Sequence, residues 1–81
     1  MEFEWDEIKA AGNLAKHGVS FAYATRVFQD PYRIEEEDPA EYSDETRQRV
    51  IGMIDNRLLF VAYTYRKDCI RIISARKATP L

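Results

Sequence analysis

The last apolar run of the chain, Cys69-Ile70-Arg71-Ile72-Ile73-Ser74-Ala75-Arg76, restricts the possible folds more than any other segment. Its β-branched residues favour a strand, whose side chains alternate between two faces. The alternation predicts two sets, with Ile70, Ile72 and Ser74 on one face and Cys69, Arg71, Ile73 and Ala75 on the other. Because a guanidinium fork matches a carboxylate or a phosphate, we expect Arg71 to meet an acid of this chain or a bound phosphate.

Two further runs precede this strand and predict an antiparallel meander. Residues 47–54 begin with basic side chains and become apolar, and residues 58–65 are apolar on both faces, as a central strand should be. Asp55-Asn56 predicts a two-residue turn between them, because both residue types tolerate positive φ. Arg66-Lys67-Asp68 predicts the turn into the last strand.

The first third of the chain predicts a short strand and two helices. Phe3 and Trp5 alternate with acidic residues, which indicates a strand with its aromatic side chains inward. Asp6 and Gly18 are the predicted ends of a first helix, and Ser20 and Pro31 those of a shorter second one. On the first helix, Ile8, Ala11, Leu14 and Ala15 share the predicted apolar side, while Lys9, Asn13 and Lys16 share a polar side that faces solvent or follows a nucleic-acid backbone.

These elements predict a single α+β domain over residues 1–81, with an N-terminal strand and two helices packed on an antiparallel sheet of three to four strands. Residues 32–35 are a candidate edge strand. Residues 35–45 are predicted to form a loop, because seven of these eleven residues are acidic and Pro39 interrupts them. The loop is either solvated or an acidic flap that lies against the basic half of the chain.

The charge is distributed unevenly along the chain. Before Arg47, four Lys/Arg stand against twelve Asp/Glu, a net charge of −8; from Arg47 onward, eight stand against two, a net charge of +6. A basic half indicates a surface that meets phosphates or an acidic protein segment, and a solvated basic face is the alternative.

One cysteine and one histidine cannot supply a tetrahedral zinc site, so we predict no metal and no cofactor. The lone cysteine, the acidic start and the lack of an apolar run of about 18–20 residues predict a cytoplasmic protein without a membrane span.

Segments along nearly the whole chain resemble the BrnT family of type II toxin–antitoxin ribonucleases. They include Phe3-Glu4-Trp5-Asp6, Lys16-His17-Gly18-Val19-Ser20-Phe21, Asp30-Pro31, Arg57-Leu58-Leu59-Phe60-Val61 and Ile70-Arg71-Ile72-Ile73-Ser74-Ala75-Arg76-Lys77-Ala78. The resemblance implies a RelE-like fold and an endoribonuclease that arrests translation. It also implies neutralisation by a ribbon-helix-helix antitoxin of the BrnA type, in a hetero-oligomer that binds operator DNA through the antitoxin. The family continues into a final helix where this chain has Thr79-Pro80-Leu81, so we expect that helix to be lacking.

RNA can be cleaved without a metal when its 2′-hydroxyl attacks the adjacent phosphate, which requires a base, an acid and cations around the phosphorane. The predicted catalytic residues are His17 and Lys16 for proton transfer and Arg66, Arg71 and Arg76 for charge stabilisation. The predicted RNA-binding residues are Lys9, Asn13, Arg49 and Lys77. The alternative function is a non-catalytic module that binds the antitoxin and acts as its co-repressor.

Overall fold

A computed structural model of the chain describes residues 1–38 and 46–78. Its elements are β1 (Glu2–Glu4), α1 (Glu7–His17), α2 (Phe21–Ala24), a 3₁₀ helix (Thr25–Gln29), β2 (Ile34–Glu37), β3 (Arg47–Ile54), β4 (Arg57–Arg66) and β5 (Cys69–Lys77). The strands form one sheet in the order β1-β5-β4-β3-β2. Only the β1–β5 pair is parallel among these strands. The α+β class is confirmed, but the sheet is mixed and five-stranded rather than antiparallel with three to four strands, because β1 adds to the edge of β5.

The local signals for turns and caps are confirmed. Asp55 and Asn56 both have positive φ, 49° and 65°, in the hairpin between β3 and β4. The Asp6 carboxylate accepts hydrogen bonds from the first backbone amides of α1, and Gly18 ends the helix at φ 71°. Ser20 Oγ accepts from the Tyr23 amide, 3.0 Å away, at the start of α2. Regular α-helix stops at Ala24, so the second predicted helix is shorter than expected and continues as a 3₁₀ helix.

The predicted orientation of α1 is wrong. Ile8 is 84% exposed and Leu14 is 50% exposed, whereas Asn13 is only 9% exposed. The Asn13 amide donates to the carbonyls of Val19 and Ala75 at 3.0 and 2.8 Å, and its oxygen accepts from the Ala75 amide at 3.1 Å. These bonds satisfy the backbone amide and carbonyl of Ala75, in the part of β5 that extends beyond β1. Asn13 therefore faces the sheet, and the apolar side of α1 faces solvent.

Strict alternation also fails in β5, because the strand contains a β-bulge. Ala62 pairs with Ser74 but Tyr63 pairs with Ile72, which leaves Ile73 as an extra residue. The extra residue reverses the phase of the side chains after it. Ile70, Ile72 and Ala75 are therefore buried together, and the prediction that placed Ser74 with the two isoleucines is wrong.

One face of the sheet, here called the inner face, carries the core against the helical segments. The core residues are Val19, Phe21, Ala24 and Val27 from the helical side and Val50, Ile54, Leu59, Val61, Tyr63, Ile70, Ile72 and Ala75 from the sheet. A Cβ atom on Gly52 would lie 2.6 Å from Val27 Cγ2, so the 3₁₀ helix contacts β3 directly. Neither helix in the described part of the chain is long and apolar enough to cross a membrane.

The acidic segment is partly a strand rather than a loop. Glu35, Glu36 and Glu37 belong to β2 and pair with Val50, Arg49 and Gln48 of β3. Glu36 meets the guanidinium of Arg49, and Glu35 accepts a hydrogen bond from the Tyr63 hydroxyl. Cross-strand partners thus offset the acidic character of this edge. The remainder of the predicted loop, residues 39–45, and the predicted absence of a final helix at residues 79–81 lie outside the described residues.

Candidate functional site

The face of the sheet opposite the helices, here called the outer face, carries five of the six arginines of the second half of the chain. The strand register pairs Arg47 with Thr64 and Thr64 with Arg71 in one row. The neighbouring rows pair Arg49 with Ala62, Phe60 with Arg76, and Arg66 with Cys69. Paired residues of adjacent strands share a face, so all these arginines extend to the same side. The arginines are Arg47, Arg49, Arg66, Arg71 and Arg76.

Arg47 is the member of this group that the sequence reasoning missed. It lies two residues before Arg49 on the same strand, and Gln48 between them faces the inner side. This period-two spacing was a readable signal, because residues i and i+2 of a strand share a face. The structure therefore adds Arg47 to the four arginines predicted from the sequence.

Small side chains lie between these arginines. Thr64 is 2% exposed and Ala62 is 9% exposed, and the Thr64 hydroxyl donates to the Thr46 carbonyl at 2.8 Å. Strands lie about 4.8 Å apart, so Arg47 and Arg71 leave the sheet about 10 Å from each other on either side of Thr64. We call the region formed by Arg47, Arg49 and Arg71 around Ala62 and Thr64 the arginine trough.

Arg71 meets an acid of the first half of the chain, which was one of its two predicted partners. Its Nη1 lies 2.7 Å from Glu4 Oε2, in the row where β1 pairs with β5. The Cys69 thiol donates to Glu4 Oε1 at 3.0 Å. Hydrogen bonds from Cys69 and then Arg71 lower the pKa of Glu4 below its usual value, and the Glu4 carboxylate raises the pKa of Cys69. Glu4 thus stays ionised while Cys69 stays a thiol, and the Arg71 side chain is held in place with 29% of its surface exposed.

The other arginines of the outer face differ in their partners. Arg49 Nε lies 2.6 Å from Glu36 Oε1. The Arg76 guanidinium lies 4.7 Å from the centre of the Phe60 ring, and no carboxylate of the described residues is within ion-pair distance of it. Arg66 lies at the end of β4, where its carbonyl is 3.2 Å from the Cys69 thiol. Of Arg49, Arg71 and Arg76, only Arg76 therefore has no carboxylate partner among the described residues.

The predicted residues on α1 lie apart from the trough. Asn13 is buried and uses both amide hydrogens inside the chain, so it joins the helix to the sheet. Its bonds to Ala75 bring the last turn of α1, with Lys16 and His17, alongside the second half of β5. Lys9 and Lys16 are exposed and His17 is half-buried. None of these three side chains forms a hydrogen bond or an ion pair with another residue of the described part.

Lys77 also lies apart from the trough, on the inner side. It lines a cavity of about 290 Å³ together with Leu14, Gly18, Val19, Ser20, Tyr23, Arg57 and Leu59. A second, more open cavity of about 660 Å³ lies at the turn between β4 and β5, lined by Glu2, Glu4, Arg66, Lys67, Asp68 and Cys69. The three carboxylates of the second cavity disfavour an isolated phosphate there. The structure thus assembles Arg49, Arg66, Arg71 and Arg76 on one face but does not bring Lys77 or Asn13 to it.

The family model of the BrnT ribonuclease toxins of type II toxin–antitoxin systems matches residues 5–80. No curated protein matches the chain significantly. The matched range contains α1, β2 to β5 and every arginine of the outer face. The resemblance seen in the sequence is therefore confirmed, and the chain belongs to the BrnT family of ribonuclease toxins, whose membership in type II systems implies an antitoxin partner.

Proposed function

We propose that this chain is an endoribonuclease toxin that cleaves RNA without a metal ion and thereby arrests translation. Family membership supports the ribonuclease class. The observation that carries the site is the gathering of five arginines on the face of the sheet that the helices leave uncovered. Such a row of cations follows a phosphate backbone, because each guanidinium offers paired donors to phosphate oxygens.

In the proposed reaction the RNA 2′-oxygen forms a bond to the adjacent phosphorus, and the bond from that phosphorus to the 5′-oxygen breaks. The products are a cyclic 2′,3′-phosphate and a free 5′-hydroxyl. Arg71 and Arg76 stabilise the charge of the pentacovalent phosphorus, and Arg66 assists at the end of the face. His17 and Lys16 lie in the last turn of α1, which Asn13 holds alongside the Arg76 end of β5 rather than in the trough. They are the proposed groups for removing the proton of the 2′-hydroxyl and protonating the leaving oxygen at that end. Arg49 is proposed to bind the flanking RNA in the trough. Lys9 and Lys77, on the helical side of the sheet, are proposed to bind RNA that passes around the sheet edge.

The pair between Arg71 and Glu4 is compatible with this role. Glu4 accepts from Nη1 alone, so Nε and Nη2 of Arg71 have no partner among the described residues. A phosphate oxygen can bind these donors while the carboxylate keeps the guanidinium oriented. The ion pair therefore fixes the direction of Arg71 without using up its donors.

The wider biological setting follows from the same proposal. We infer a RelE-like fold, a cytoplasmic location and neutralisation by a ribbon-helix-helix antitoxin of the BrnA type. The complex of the two proteins would bind operator DNA through the antitoxin. Family membership supports a partner of the antitoxin class, and the uncovered outer face offers a surface for it.

The decisive experiment incubates the purified chain with single-stranded RNA in excess EDTA and identifies the product ends. We expect cyclic phosphate ends from the wild type and a severe loss of cleavage in Arg71→Ala, Arg76→Ala and His17→Ala, each with a cooperative melt. Arg26→Ala is the matched control. It removes an arginine that is paired to Asp55 at 3.1 Å, with 48% of the Arg26 side chain exposed, away from the outer face.

Each contrary outcome has a definite meaning. Intact RNA with the wild type would refute the enzyme and favour the non-catalytic module that binds the antitoxin as a co-repressor. Cleavage only after a divalent cation is added would refute the metal-independent route. An equal loss in Arg26→Ala would mean that total charge matters rather than the outer face.

A further inference from the structure

The outer face carries an apolar patch beside the arginine trough. The register pairs Ile34 with Ile51, Ile51 with Phe60, and Met53 with Leu58, so five large side chains adjoin one another across β2, β3 and β4. Ile34 is 63% exposed, Met53 is 50% exposed and Leu58 is 42% exposed. We call Ile34, Ile51, Met53, Leu58 and Phe60 the apolar patch. Contiguous apolar surface of this kind on a soluble domain marks an interaction site.

The composition of the patch favours a protein partner over RNA bases. Four of its five members are aliphatic or thioether side chains, whereas unpaired bases are recognised by stacking on aromatic rings. The single ring, Phe60, already has the Arg76 guanidinium 4.7 Å from its centre. The patch therefore lacks a free aromatic platform for a base, and suits aliphatic side chains of a second polypeptide.

The charge around the patch indicates the chemistry of that polypeptide. Arg76 lies next to Phe60 in the same row and has no carboxylate partner among the described residues. The chain from Arg47 onward, which forms most of this face, has a net charge of +6. A segment with aliphatic side chains along one side and a carboxylate beside them would match both the patch and Arg76.

We propose that the antitoxin docks such a segment on the apolar patch and places a carboxylate on Arg76. The position accounts for neutralisation, because the patch is continuous with the trough through the adjacent rows of Arg49 and Arg76. A segment seated there blocks RNA from the arginines, because its carboxylate occupies Arg76, one of the proposed charge-stabilising groups. This inference rests on the proposed function in taking the outer face as the RNA site.

The test compares three substitutions of exposed residues by glutamate. Ile34→Glu and Met53→Glu each place a charge in the patch, and Ile8→Glu makes the same change at an 84% exposed position on α1. Each chain is co-expressed with the tagged antitoxin encoded alongside it, and the purified pairs are compared by titration and by RNA cleavage. Because a charge in an apolar interface is costly, we expect affinity to fall by at least about 30-fold in both patch variants and to stay unchanged in Ile8→Glu. All three free toxins should melt cooperatively and cleave RNA like the wild type.

Four results with the antitoxin and RNA would overturn the docking site. They are wild-type affinity in both patch variants, loss of affinity in Ile8→Glu alone, absence of a complex with the wild-type chain, and loss of RNA cleavage with normal antitoxin binding. The last would assign the patch to RNA. A wild-type dimer that Met53→Glu dissociates without affecting the antitoxin would likewise assign the patch to a second copy of the chain.

The proposed function can fail separately. If the wild type leaves RNA intact while both patch variants lose the antitoxin, the nuclease proposal is refuted and the docking site stands.

Discussion

The two faces of strands β4 and β5 differ in burial and in the partners of their side chains, although neighbouring residues of each strand alternate between them. Ile72 on the inner face is 2% exposed and packs in the core, while its neighbour Arg71 on the outer face remains 29% exposed and is paired with Glu4. The same contrast holds in β4, where Val61 is fully buried against the helical side and Phe60 lies under Arg76 outside. The alternation of strand side chains thus separates the buried core from the exposed arginines, where we propose that RNA binds.

The inner face is also held together by contacts between aromatic rings. Phe28 and Tyr65 both meet the Tyr63 ring edge to face, with ring centres 5.0 and 5.7 Å away. Burial and the hydrogen bond to Glu35 raise the pKa of the Tyr63 hydroxyl, so it stays protonated and donates. On the outer face, Arg49 and Arg71 each form one ion pair with a glutamate, and Arg76 contacts the Phe60 ring. Neighbouring substitutions should therefore affect different properties.

The largest effect is expected for Arg71→Ala. If Arg71 stabilises the transition state as proposed, loss of its guanidinium should lower RNA cleavage by about 10³-fold. The thermal unfolding should change little, because the side chain is partly solvated and its ion pair contributes little. Cleavage rates and melting curves are the measurements. A melting temperature lowered as far as in a core variant would contradict the division between the two faces.

Ile72→Ala, at the next residue, should lower stability but leave RNA cleavage by the folded protein unchanged. Removing a buried isoleucine leaves a cavity and should lower the free energy of unfolding by about 3 kcal/mol. Denaturant unfolding measures this change, and cleavage by the folded fraction should be retained. Leu58→Ala is the control, because Leu58 is 42% exposed on the outer face and its truncation should cost much less.

Asn13→Ala tests whether this position holds the helix or binds RNA. The substitution removes three hydrogen bonds and leaves the Ala75 amide and carbonyl without their described partner. We expect the free energy of unfolding to fall by about 2 kcal/mol. Lys9→Ala on the same helix should leave stability unchanged. Weaker RNA binding by fully folded Asn13→Ala would instead support the prediction that Asn13 binds RNA.

The smallest expected effect concerns Asp30 and the stability of the protein in acid. Asp30 accepts from the amides of Met53 and Tyr32 at 2.8 and 2.9 Å, and these bonds lower its pKa below the usual 3.8. A lowered folded-state pKa means that the stabilisation is present above pH 3.8 and is lost as the pH falls through the folded value. Asp30→Asn should therefore flatten the decline of the melting temperature in acid. An unchanged pH profile would show that Asp30 makes no such contribution.

Short-range signals made much of the fold predictable. Asp6, Gly18 and Ser20 were recognised from capping chemistry, and the Asp55-Asn56 turn from its tolerance of positive φ. For the site, the sequence identified four of the five arginines on the outer face. The rotation of α1 was not predictable, because Asn13 is turned inward by bonds to Ala75, a residue 62 positions away.

The sequence by itself determined the α+β class, both ends of α1, the start of α2, the hairpin turns and the family, since each depends on neighbouring residues or on order along the chain. Only the tertiary structure decided that β1 lies beside β5 and that Arg71 meets Glu4, 67 positions earlier. It also determined the β-bulge at Ile73 and placed Arg47 across Thr64 from Arg71. The physical reason is that strand register and ion pairing depend on which distant segments become neighbours, and local preferences do not encode that choice.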